Sequence, residues 1–169
     1  MRLHVRDSLS SEAAIPFVPT HDVFGTGERL ALLCHGILGS RQNWRGFARR
    51  LAEGLPGWRI VTVDHRNHGD APWAPAPHTL AACADDLVTL REALGARPEV
   101  VIGHSFGGKV ALTYGHAHGA GLKQVWVLDA SPEPWTPEAA ANNEVATVLR
   151  ALDAVAMPLE RRNDIVELL

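Results

Sequence analysis

Four short apolar runs recur along the chain, at Arg29–Cys34, Arg59–Asp64, Glu99–Ile102 and Gln124–Asp129. They are nearly continuous rather than alternating, as expected of strands buried on both faces of a parallel sheet. The segments between them change period. Over 41–53, Trp44, Phe47, Ala48 and Leu51 fall at i, i+3, i+4 and i+7, with Ser40 in position to cap a helix. Over 78–94, Leu80, Cys83, Ala84, Leu87, Leu90 and Leu94 make a second helical stripe, and Gly95 suits its C-terminal cap. A third helix is expected from Gly107 through Tyr114. Leu3–Arg6 alternates and predicts a first strand. Residues 8–28 read as turns around a second short strand, and Pro72 to Pro77 as a loop.

Strands alternating with helices predict right-handed βαβ units, hence an α/β fold with a parallel sheet covered on both faces. After Ser131 the pattern changes. Pro132, Pro134 and Pro137 interrupt it, and an Ala-, Val- and Leu-rich helical segment follows from about 138. The expected organisation is a core over 1–132 and a helical segment over 133–169, without internal repeats or low-complexity tracts.

Composition narrows the function classes. The chain has 169 residues, enough for one domain with a real core, and 46% hydrophobic and 21% charged residues are ordinary for a globular protein. A net charge of −3 argues against nucleic acid or an anionic membrane as an obligatory partner. No apolar stretch approaches the roughly 20 residues that span a bilayer, and no apolar signal core follows Arg2, Arg6 and Asp7. Cys34 and Cys83 are too few and too far apart for a disulfide framework, so a reducing cytoplasm is the expected location.

The most informative residues are Gly103-His104-Ser105-Phe106-Gly107. G-x-S-x-G alone is a weak pattern. Here it joins an expected buried strand to an expected helix, the context in which a serine sits on a sharp turn with its hydroxyl exposed at the top of a sheet. The carboxyl ends of two other expected strands carry His35-Gly36 and Asp64-His65-Arg66, and ligands bind at that edge of open α/β sheets.

Three segments together, His35-Gly36-Ile37-Leu38-Gly39-Ser40, Asp64-His65-Arg66-Asn67-His68-Gly69 and Gly103-His104-Ser105-Phe106-Gly107-Gly108-Lys109, resemble the small bacterial and mitochondrial esterase branch of the α/β-hydrolase superfamily. The likeness covers residues 29–132. Beyond it, the chain resembles only the start of the helical cap that the family inserts above its site. The resemblance implies a serine hydrolase of carboxylic esters or thioesters, with a small-molecule ester substrate, no cofactor and no metal. C–C hydrolysis and acyl transfer remain open as related serine chemistries.

In that chemistry Ser105 is the expected nucleophile. One oxyanion donor would be the N–H of Phe106, directly after it at the positive end of the next helix. The resemblance implies the N–H of Ile37 as the other. His35, Gly36, Leu38 and His104 are expected to orient loops or line the pocket, and His35 has a second reading as a substitute base for Ser105. Asp129 has two readings, triad acid or strand-end brace. Asp64 and Arg66 are expected to hold their loop by a charge-assisted bond. His65 and His68 lack an obvious third metal ligand. His116 and His118 lie roughly 16–20 Å down the helix from Ser105 and read as solvated.

The family order places the acid and then the His after the serine, and the strands bearing them have no counterpart before Leu169. The chain therefore reads as the N-terminal part of a hydrolase, incomplete without a C-terminal part carrying the His. A second reading is a non-catalytic fragment or pseudoenzyme binding a ligand or partner chain. In that case the edge at 124–129, near Trp126 and Trp135, would pair with a second copy or the missing C-terminal half.

Overall fold

The computed structural model describes residues 17–133, 136, 138 and 143–155. The expected strand at Leu3–Arg6, Trp135 and the helix beyond 155 lie outside the described residues.

A five-stranded sheet forms the core, in the order β1-β3-β2-β4-β5. Its strands are β1 (His21–Phe24), β2 (Arg29–Cys34), β3 (Trp58–Val63), β4 (Pro98–His104) and β5 (Gln124–Leu128). β2 pairs in parallel with β3 and β4, and β4 in parallel with β5. The short strand expected within residues 8–28 is β1, and it runs antiparallel on β3. The sheet is therefore mixed at one edge, because the connection through Gly25–Glu28 is too short for a crossover.

Between the strands lie α1 (Arg45–Gly54), α2 (Leu80–Ala93) and α3 (Phe106–His118). The first predicted helix is divided: Arg41–Trp44 forms a tighter 3-10 turn before α1. Thr79 caps α2, its hydroxyl accepting from the Ala82 N–H.

The period-2 alternation of β2 divides the core into two clusters. Leu30, Leu32 and Cys34 pack with Val61, Val63 and Val101 under the Cys83, Ala84, Leu87 and Leu90 face of α2 and the Val110, Ala111 and Tyr114 face of α3. Ala31 and Leu33 pack on the opposite side with Ile60, Val100 and Ala48 of α1. The predicted α1 face is corrected at Phe47. Its side chain is 39% exposed and touches the Trp44 ring at the rim instead of entering the cluster.

The described residues up to Pro132 form one compact unit, and those from Glu133 onward belong to a second. Within the second, Asn143 caps a helix α4 (Glu144–Asp153) by accepting from the Ala146 N–H. Val145, Val148 and Leu149 on α4 are exposed. Among the described residues no helix is long and apolar enough to cross a membrane.

Candidate active site

β4 ends at His104, α3 begins at Phe106, and Ser105 alone makes the turn, with φ 50 and ψ −114. A non-glycine residue in this region costs of order 1–3 kcal/mol and persists only where its surroundings over-determine it. They do so here. The Ser105 N–H donates to Leu128 O at 2.9 Å, tying the turn to β5. The Ser105 carbonyl accepts from the N–H groups of Gly108 and Lys109, opening α3. A Cβ on Gly103 would lie 2.0 Å from Gly107 O, and one on Gly107 would lie 2.5 Å from Cys34 O and His35 O. Only bare backbone lets β4, α3 and β2 approach this closely.

As the first residue of α3, Phe106 has an N–H ahead of the first intrahelical acceptor, at the positive end of the helix. The loop after β2 lies against the same turn. A Cβ on Gly36 would stand 2.9 Å from His104 Nδ1 and 3.5 Å from Ser105 Cβ. That loop is closed by the Gly39 N–H donating to Gly36 O at 3.1 Å, with Leu38 in the left-handed region at φ 59 and its side chain exposed. A cavity of about 320 Å³ opens here, lined by His35, Gly36, Ile37, Gly39, Asn43, Trp44 and His104. Phe106 is not among its lining residues. Its ring turns to the imidazoles of His65, edge-on with centroids 5.4 Å apart, and His68, stacked at 5.9 Å.

His35 is buried, and both its nitrogens are engaged. Nδ1 lies 2.7 Å from Gly36 O, and Nε2 accepts from the His65 N–H at 3.2 Å. A carbonyl only accepts and a backbone N–H only donates, so Nδ1 carries the proton and no lone pair is left for Ser105. His35 therefore bridges the loop after β2 and the segment after β3, and its second reading as a substitute base is set aside. His104 is half exposed, and its Nε2 lies 3.7 Å from Asp129 Oδ2. Asp129 follows β5 with φ 53 and a side chain that is 91% exposed. His118 departs from its expected solvated state: Nε2 lies 2.9 Å from Asp85 Oδ1, and its ring contacts Tyr114. His116 is exposed.

Asp64 and Arg66 each make charge-assisted bonds, but to different partners. The Asp64 carboxylate accepts from the Arg41 guanidinium and backbone N–H and from the Asp70 N–H. Arg66 makes a bidentate pair with Asp86, both bonds 2.7 Å. Nothing local in the sequence marks Arg41 or Asp86 as these partners. Only the buried position of Asp86 in α2 hints that it needs a counter-ion.

Burial pushes the Cys34 thiol up to about 12 and the Cys83 thiol to about 11, so neither competes as a thiolate near neutral pH. His65 lies well below its ordinary value, first because it is buried and then because His35 and His68 adjoin it; a bond to the His35 backbone opposes the shift. His35 is lowered mainly by burial. Among the described residues no set of three ligating side chains is arranged to hold a metal ion.

The lowered imidazoles set a pH dependence of stability. The unfolded chain protonates these groups near pH 6.5, while the folded state keeps them neutral to lower pH. Unfolding then takes up protons, and stability must fall as pH drops through 6.5 toward the folded-state values. Guanidinium unfolding at pH 7.5, 6.5 and 5.5 is expected to show that loss, with a smaller slope in His65→Phe. Stability that stays level or rises across this interval contradicts the assignment.

The family model described as alpha/beta hydrolase fold matches residues 31–165. The chain belongs to the alpha/beta-hydrolase family. Among curated relatives, the alpha/beta-hydrolase chain is 35% identical over 124 residues to the mouse (Mus musculus) sn-1-specific diacylglycerol lipase ABHD11, covering 73% of this chain and 38% of that protein. The zebrafish (Danio rerio) protein of the same name is 37% identical over 133 residues, covering 78% and 41%. Among solved structures, one titled "Marine microorganism esterase" superposes with a TM-score of 0.77 at 25% identity, covering 90% of this chain and 57% of that one. The chain thus spans about two-fifths of the length of these curated relatives. The names these relatives carry are those of lipases and esterases.

Proposed function

We propose that Ser105 is the nucleophile of a hydrolase acting on carboxylic esters or thioesters. The observation that carries this reading is the backbone of Ser105, held at φ 50 between β4 and α3 by contacts that leave its side chain no role in capping the helix. Attack of Oγ on the acyl carbon, its proton passing to the imidazole that Asp129 would orient, forms a C–O bond and a tetrahedral oxyanion. Collapse of that intermediate breaks the bond to the alcohol or thiol, which leaves with that proton, and water, deprotonated by the same imidazole, then releases the acid from the acyl-serine. The N–H groups of Phe106 and Ile37 are the proposed oxyanion donors, and a lost donor of this kind costs about 3 kcal/mol of transition-state stabilisation. Asp129 at the end of β5 is the proposed acid. The imidazole it would orient is proposed to come from a part of the protein other than the described residues. The lipase and esterase names of the relatives support ester chemistry. The expected cytoplasmic location and absence of a cofactor belong to the same reading.

One observation favours the alternative, a chain that binds a ligand or partner without turnover. Among the described residues no imidazole is hydrogen-bonded to Ser105; His35 is fully engaged and His118 is paired with Asp85.

A fluorophosphonate probe is expected to label the protein at a single site. Ser105→Ala should abolish that labelling and lower turnover of p-nitrophenyl acetate by several orders of magnitude, as loss of a serine nucleophile does elsewhere. Peptide mass mapping identifies the modified residue. A wild-type protein that neither labels nor turns over supports the binding reading instead.

A further inference from the structure

Three imidazoles take no proton-transfer part in the proposed reaction, yet they join the two candidate oxyanion donors through a continuous set of contacts. His35 Nδ1 donates to the Gly36 carbonyl, one residue before Ile37. His35 Nε2 accepts from the His65 N–H. The His65 ring stands perpendicular to the Phe106 ring, with centroids 5.4 Å apart, and the His68 ring stacks on Phe106 at 5.9 Å with 18° between planes. The three imidazoles also contact one another, His35 to His65 at 4.7 Å and His35 to His68 at 5.3 Å.

The segment that presents these rings is held at almost every residue. Asp64 is bonded to Arg41 and to the Asp70 N–H. Arg66 is paired with buried Asp86. Asn67 accepts from the Ala74 N–H at 2.7 Å and donates to the Ala74 carbonyl at 3.3 Å. His68 Nδ1 lies 2.9 Å from Arg66 O, so it carries the proton and the plane of its ring is tethered.

We propose that His65 and His68 are positioning residues for the oxyanion site. They clamp the Phe106 ring and thereby the peptide that bears its N–H. His35 ties the same segment to the loop carrying Ile37, so the spacing of the two donors is set before substrate arrives. This inference rests on the reading of Ser105 as nucleophile. Its physical basis is that an oxyanion donor is effective only within a few tenths of an ångström of its place, and preorganisation spares reorganisation during the reaction. An imidazole suits the position because it offers both a flat face for Phe106 and an N–H for the Arg66 carbonyl. Leucine offers neither, and phenylalanine keeps the face.

Fluorophosphonate labelling of Ser105, resolved into a rate constant for reaction and a binding constant for the probe, tests this. His68→Leu is expected to lower the reaction rate constant about 10-fold with the binding constant little changed, because a misplaced donor acts on the transition state. His68→Phe is expected to restore the rate to within about 3-fold of wild type, since the stack on Phe106 survives. Thermal midpoints of both variants exclude simple unfolding. Equal rates in wild type and His68→Leu overturn the inference, as does an equal loss in the leucine and phenylalanine variants. A loss confined to probe binding overturns it too. Absence of labelling in the wild type is a separate result: it removes the nucleophile reading and this inference with it.

Discussion

Asp86→Ala is expected to destabilise the fold by about 3–5 kcal/mol, the penalty for leaving one member of a buried ion pair without its partner. Arg66 and Asp86 are only 4% and 2% exposed. The guanidinium makes two 2.7 Å bonds to the carboxylate and donates further to Pro77 O at 2.8 Å and Ala82 O at 3.3 Å. Without Asp86 the charge would remain among carbonyls that accept hydrogen bonds but do not neutralise it. The cost of removing one member is larger than the pair's own net contribution, because the charge left behind stays buried. Burial raises the Asp86 carboxyl above its ordinary value, and the Arg66 bonds oppose this without cancelling it. Replacing both members, Arg66→Met with Asp86→Leu, is therefore expected to recover most of what the single change loses. Guanidinium unfolding of the two variants measures both quantities. A loss under about 1 kcal/mol for Asp86→Ala would show that water reaches the guanidinium and that the pair does not anchor the segment after β3.

The second large effect concerns the turn at Ser105. Gly103→Ala places a methyl group 2.0 Å from Gly107 O, 2.2 Å from Gly107 C and 2.5 Å from Gly108 N. All three are main-chain atoms, so no side chain can rotate away and α3 must lift from β4. The expected cost is about 3 kcal/mol or more, at the upper end of overpacking penalties. Reactivity of Ser105 is expected to fall with it, because the same shift carries the Phe106 N–H away. Gly46→Ala in α1 is the matched control. A Cβ there meets nothing within 4 Å, and the change is expected to stabilise by up to about 1 kcal/mol through helix propensity alone. Thermal and denaturant midpoints compare the two. Similar effects from both substitutions would mean that glycine at 103 is not required by the close approach of strand and helix.

These two sites differ in how far they can be read from the chain. The glycines around Ser105 are local, and their spacing alone implies a tight strand-to-helix turn. The pairing of Arg66 with Asp86 spans 20 positions and leaves no periodic trace. The same contrast runs through the candidate site. Ser105 and the N–H of Phe106 follow from a five-residue motif. The contact of His104 with Asp129, the full engagement of His35 and the turn of the Phe106 ring toward His65 and His68 all depend on loops from different strands meeting at one edge.

The α/β class, β2 through β5, α2 and α3 to within a few residues, and the strained position of Ser105 are legible along the chain. Burial on a sheet imposes runs, helices impose a 3.6-residue period, and a turn without room for Cβ imposes glycine. Packing between distant segments made β1 antiparallel, kept Phe47 at the rim and put His118 beside Asp85. It also decided which carboxylate neutralises each buried arginine and which imidazoles surround Phe106. Those outcomes depend on which side chains of distant segments come within about 3 to 6 Å of one another, a distance set by packing the sheet and its helices together and carried by no local pattern of residues.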